Sequence, residues 1–111
     1  MTISKYTGTN YIIVHTKKEQ SVAIDRSSQW GNPFPLQNPK DEVARQECVA
    51  KYRADLWRKI QGGDVSQLER LIKRKNQGKP LKLGCWCAPR LCHGDVLAAA
   101  CDWYETTTLN K

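Results

Sequence analysis

Leu81-Lys82-Leu83-Gly84-Cys85-Trp86, then Cys87-Ala88-Pro89-Arg90-Leu91-Cys92, then His93-Gly94-Asp95-Val96-Leu97 is the stretch that decides the fold. Its first six residues read as a strand. Its middle carries a proline and two thiols, Cys87 and Cys92, so it reads as a tight loop. Its last part opens a helix near His93 or Gly94, with Val96, Leu97, Ala100 and Trp103 as the apolar face. A strand that gives way to a helix through a short loop is a recurrent ligand site. The helix N-terminus offers unpaired N–H groups and the positive end of a dipole.

Working toward the N-terminus, Asp64 reads as the cap of another helix, with Gln67 at the capping-box position. Leu68, Leu71 and Ile72 give its inner face, Gly78 stops it, and Pro80 follows. Before it lies a longer helix, opened by Asn38-Pro39-Lys40-Asp41 and running from Glu42 to about Gln61. Val43, Cys48 or Val49, Tyr52, Leu56 and Ile60 form its stripe, and Gly62-Gly63 ends it. Tyr11-Ile12-Ile13-Val14-His15 is a short β-branched run that reads as a buried strand, with Val22-Ala23-Ile24 as a weaker one. Between strand and helix, Trp30-Gly31-Asn32-Pro33-Phe34-Pro35 forbids a regular element. Its aromatic residues imply a loop that packs on something.

The order strand, strand, helix, helix, strand, helix favours an α/β layered fold in one small domain. A short, mostly parallel sheet would be flanked by about three helices. The alternative is a mostly helical domain carrying one hairpin. Residues 1–10 are expected to be loosely held, 11–105 to form the domain, and 106–111 to be a polar tail.

The bulk numbers agree with one small globule. The chain has 111 residues, 40% apolar and 26% charged. Eighteen Lys and Arg face eleven Asp and Glu, a net charge of +7. Such a surplus fits phosphate-bearing partners, or equally a merely solubilising surface. The five cysteines are an odd number, and three of them fall within eight residues, unlike the framework of a small secreted scaffold. We read the thiols as reduced and the compartment as cytoplasmic. No signal peptide or membrane span is apparent.

Three readings of the thiol segment stand side by side. Cys92 at the helix N-terminus is a candidate thiolate nucleophile, with His93 as acid or base and Asp95 orienting it. Cys85, Cys87, Cys92 and His93 are instead a zinc-type ligand set, although more compressed in sequence than standard structural sites. The third reading is packing alone, as expected for Cys48 and Cys101. Gly94 would let a ligand approach the backbone closely. Arg26 and Arg90 can supply charge, Trp30 and Trp86 can stack on a base, and Asn32 can read a base edge or close its own turn. Their bland counterparts are a core plug at Trp30 and Phe34 and an ion pair at Arg26. His15 at a strand end reads as a surface residue. The run Arg70-Leu71-Ile72-Lys73-Arg74-Lys75, continued by Lys79 and Lys82, is the densest basic one. It is either a solvated helix face or a track for a nucleic-acid backbone.

Arg26, the loop Trp30-Gly31-Asn32-Pro33-Phe34, and Gly84-Cys85-Trp86-Cys87-Ala88-Pro89 followed by Cys92-His93-Gly94-Asp95 resemble a bacterial and bacteriophage family, domain of unknown function 4326. The resemblance runs from about Tyr11 to Trp103. The thiol segment is more loosely similar to domain of unknown function 488, which has an Arg where Gly94 stands here. The resemblance implies a small α/β fold, a phage or bacterial source and a two-part site, but no activity. From the residues, the expected role is binding or processing of a nucleotide, nucleoside or nucleic-acid component. The alternative is a non-enzymatic module that binds nucleic acid or a host protein and holds a structural zinc.

Overall fold

In the computed structural model, the residues described are 3–15, 21–24, 30–31, 34, 40–85 and 90–109. Three parallel strands, β1 (Tyr11–His15), β2 (Val22–Ala23) and β3 (Leu81–Cys85), form one sheet in the order β1-β3-β2. The helices are α1 (Glu42–Gln61), α2 (Ser66–Asn76) and α3 (His93–Tyr104), the last continued by a π-helical turn over Glu105–Leu109. This is the small α/β layered fold with a parallel sheet and three helices, and the alternative of a mostly helical domain with one β-hairpin falls.

The third strand in sequence is the middle one in space. Leu83, Gly84 and Cys85 are buried in succession, the pattern of a parallel strand covered on both faces. Tyr11 lies opposite Leu81, Val14 opposite Gly84 and His15 opposite Cys85, while Val22 lies opposite Leu83. All three strands therefore run toward the edge that carries the thiol segment.

Helix α1 starts where the Asp41 carboxylate accepts from the Val43 and Ala44 N–H groups. It ends at Gly62, and Gly63 follows with φ +89°, a conformation that suits glycine. Its inner stripe is Arg45, Cys48, Val49, Tyr52 and Leu56. Val43, expected on that stripe, is exposed because the first turn lies outside the core. Helix α2 starts later than its sequence cue. Val65 is the N-cap, without a side-chain bond, and Asp64 accepts instead from the Ser66 hydroxyl at 2.9 Å. Its buried face is Leu68, Leu71, Ile72 and Lys75.

Helix α3 buries Val96, Leu97 and Ala100, but Trp103 is 41% exposed. Leu97 and Cys101 join Ile24, Leu68, Leu71 and Leu83 among the most deeply buried side chains. Helix α3 thus supplies the centre of the core, and each such side chain contributes about 1.5–3 kcal/mol by leaving water.

The segment from Ile3 to Asn10 makes hydrogen bonds to helices α1 and α3. Ile3 exchanges two 2.9 Å hydrogen bonds with the Gln46 side chain. The Tyr6 N–H donates to Asp95 at 2.9 Å, and the Tyr6 hydroxyl and Asn10 amide both donate to Asp102. Among the described residues, no helix is long and apolar enough to cross a membrane.

Candidate metal centre

Cys85 is the last residue of β3, Cys92 the N-cap of α3 and His93 its first residue. The end of β3 and the start of α3 therefore lie side by side. The Sγ atoms of Cys85 and Cys92 and a ring nitrogen of His93 lie within 4.8 Å of one another, and all three residues are buried. Tetrahedral zinc, with bonds of about 2.0–2.3 Å, sets its donor atoms roughly 3.5–3.8 Å apart. Side-chain rotations that close the triangle by about an ångström would satisfy it. Two soft thiolates and an imidazole are the donor chemistry zinc prefers.

The surroundings hold these groups in place. His93 Nε2 lies 2.5 Å from the Ile24 carbonyl oxygen. A carbonyl only accepts, so Nε2 is the donor in this contact and Nδ1 is the nitrogen left for a metal. The Tyr52 ring packs edge-on against the imidazole, 5.0 Å between centroids. The Gly94 N–H donates to Cys92 Sγ at 3.3 Å. Arg45, buried on α1, donates from Nη1 to the Leu91 carbonyl at 3.1 Å. Sequence reading missed Arg45 because a lone arginine on an amphipathic helix gives no sign of turning inward. The alignment of His15 with Cys85 at the same sheet edge was equally hidden, since it depends on strand order.

Asp95 closes a capping box. Its carboxylate accepts from the Cys92 N–H at 3.0 Å, from the Tyr6 N–H at 2.9 Å and from the Lys5 ammonium at 3.4 Å. It is 2% exposed. The structure thus engages it in holding the turn and not His93. Gly94 is close-packed, but by the protein itself: a Cβ there would lie 2.7 Å from Ile24 Cδ1 and 3.2 Å from Ile13 Cδ1. The Gly94 and Asp95 N–H groups bond to the sulfur and carbonyl oxygen of Cys92. A nucleophilic role for Cys92 meets the same obstacle, since it is 2% exposed and His93 6%.

Trp30 is a plug. Its indole N–H donates to the Gln67 carbonyl, its own carbonyl accepts from the Tyr52 hydroxyl at 3.1 Å, and the residue is 8% exposed. Tyr52 links this loop to His93, so the two motifs do meet through one side chain. Arg90 is exposed and lies 3.9 Å from the Glu42 carboxylate. Arg26, Asn32, Trp86 and Cys87 lie outside the described residues. Cys48 and Cys101 are core residues as expected, and none of Cys48, Cys85, Cys92 and Cys101 is in a disulfide.

Comparison with known proteins agrees with the motifs. A protein of Enterobacteria phage T4, described as "Uncharacterized 12.4 kDa protein in nrdA-td intergenic region", is 32% identical over 84 residues, covering 74% of this chain and 68% of that protein. No solved structure matches. Residues 12–103, which contain the loop tryptophan and the whole thiol segment, match the family described as Domain of unknown function (DUF4326), and the chain belongs to that family.

Proposed function

We propose that this chain is a zinc-stapled nucleic-acid-binding module and not a thiol enzyme. The observation that carries the reading is the buried meeting of Cys85, Cys92 and His93. Closed, buried donor sets are the mark of structural zinc. Zinc here would fasten the end of β3 to the start of α3, with Cys87 the natural fourth ligand from its place in the sequence. The positive charge supplies the second half of the reading. Arg70, Lys73 and Arg74 on α2, with Lys79 and Lys82 beyond it, are exposed. Lys75 is withdrawn from this run, because its ammonium pairs with Glu105 inside the fold.

The test has two arms. Metal analysis of the purified protein should find close to one zinc per chain, and Cys85→Ala or His93→Ala should remove it. Retention of DNA should weaken linearly on a log-log plot against salt. Replacing Arg70, Lys73 and Arg74 together by alanine should lower that slope by about 0.9 for each phosphate that is no longer neutralised. A metal-free protein with full thermal stability, or a salt slope near zero, would sink the corresponding half.

A second reading rests on the number of ligands. Among the described residues, three meet and not four. If Cys87 stays out, a coordination position is left for a substrate, and the site would process a nucleotide or nucleoside component. Zinc retained after Cys87→Ala favours this version. Zinc lost favours the closed one.

A further inference from the structure

Helices α1 and α3 meet the N-terminal segment around a cavity of about 230 Å³. Trp57, Trp103, Leu56, Val96, Ala99 and Arg53 are among the residues that line it. The two indoles meet edge to face, 4.8 Å between centroids and 70° between planes. Nothing in the metal centre uses this pair. Trp103 is among the most exposed large apolar side chains of the described residues, at a position where the helical stripe predicts core.

The cavity is smaller than the roughly 300 Å³ at which drug-sized pockets begin. It therefore suits a single ring system and not a whole cofactor. Its lining carries one exposed cation, Arg53, and one buried carboxylate, Asp95. The carboxylate at its edge, Asp95, is already answered by two backbone N–H groups and by Lys5. Arg53 is exposed beside it, and Lys5 is 46% exposed. A flat apolar ring that carries an anion outside the cavity matches this pattern. A solvent-facing aromatic pair within a cationic rim is how proteins hold single-stranded nucleic acid without reading its sequence.

We infer that the Trp57–Trp103 cavity takes one unpaired base of a single strand, with the adjoining phosphate against Arg53 and Lys5. The inference deepens the nucleic-acid reading and rests on it. It also moves base stacking away from Trp30, which is buried, to the Trp57–Trp103 pair.

The experiment follows tryptophan emission while the full-length protein is titrated with oligothymidylate, with a strand of equal length lacking bases, and with duplex DNA. Oligothymidylate should quench emission, and the abasic strand should bind more weakly and quench little. Trp103→Ala should cost about tenfold or more in affinity for oligothymidylate while leaving the salt slope in place. Ala99→Phe, which fills the cavity and removes no aromatic group, should do the same. Arg53→Ala should instead reduce the slope by about one unit. If oligothymidylate binds with steep salt dependence, yet both cavity variants match the parent and the abasic strand binds equally well, the base site is wrong and the nucleic-acid reading stands. If no nucleic acid binds even at low salt, both are wrong. A dimer that Trp103→Ala converts to monomer would assign the cavity to a second copy of the chain and overturn the inference.

Discussion

His93 Nε2 and the carbonyl oxygen of Ile24, 2.5 Å apart, join the first turn of α3 to the end of β2. The contact fixes both the tautomer and the plane of the ring, the usual arrangement behind a metal-binding imidazole. Under the zinc reading the same ring would serve both the metal and the fold, so metal binding and folding would be linked. Chelation of the zinc-loaded protein should therefore lower Tm, and added zinc should raise it again in proportion to RT ln(1 + [L]/Kd). Cys92→Ser sharpens the test. Serine is a preferred helix N-cap, so in metal-free protein this change should be neutral or slightly stabilising. In the presence of zinc the variant should lack the metal-dependent rise. Thermal melts with and without chelator check both statements. A variant that loses stability equally in the two conditions would show that the sulfur serves packing alone.

Much of the fold was legible because local chemistry decided it. Asp41 and Gly62 bound α1 through side-chain capping and a following positive φ. Cys92 could be placed at the start of α3 because proline, glycine and aspartate cluster there. What escaped was set by neighbours distant in sequence. Lys75 reads as one more surface cation until Glu105 is brought beside it. Val43 and Trp103 fit their helical stripes, but each stripe outruns the core it faces. The middle position of β3 depends on chain crossing, which periodicity does not encode. At the site, the gathering of Cys85, Cys92 and His93 was readable from a short loop. Their burial, and the diversion of Asp95 and Gly94 to holding and packing the turn, was not.

Asp95 offers a direct contrast between holding and reacting. Its carboxylate accepts two backbone N–H bonds, and removal leaves buried donors unmet. Asp95→Ala should cost about 2 kcal/mol or more of stability, the combined scale of a lost cap and of hydrogen bonds to a charged group. Lys5→Ala, which removes only a half-exposed partner, should cost less than about 1 kcal/mol. Urea unfolding of the two variants measures the difference. Unchanged stability in Asp95→Ala would return the residue to a reactive role.

Gly94 is small for a reason that a second substitution can expose. The methyl of Gly94→Ala would collide with Ile24 Cδ1, on a side chain with no exposure. Overpacking of this kind costs about 1–3 kcal/mol. Ile24→Val removes the colliding atom, at a cost of about 0.5–1.5 kcal/mol by itself. The double variant should be less destabilised than the sum of the singles, a coupling visible in a double-mutant cycle. Strict additivity would mean that α3 moves away from the sheet instead of meeting Ile24.

The alkaline limit of stability should be set by buried acids that carry no charge at neutral pH. Burial above all pushes the Cys101 thiol from its ordinary 9.0 up to about 12. Burial likewise raises Tyr6, Tyr11 and Tyr52 above their ordinary value. In each case the folded state holds a proton that the unfolded chain releases first. Stability is then complete below the unfolded value and declines as pH rises toward the folded one. The urea midpoint should be flat with respect to these groups through about pH 8 and begin to fall near pH 9, where Cys101 enters, then fall more steeply once the tyrosines of the unfolded chain ionise. Cys101→Val should remove the earliest part of the decline and leave the later part. Cys101 should also resist alkylation at about pH 8 in native protein and react on unfolding, because its thiol has no exposure and faces the Leu68 carbonyl. Rapid native-state alkylation at Cys101, read by peptide mapping, would contradict the burial that carries this account.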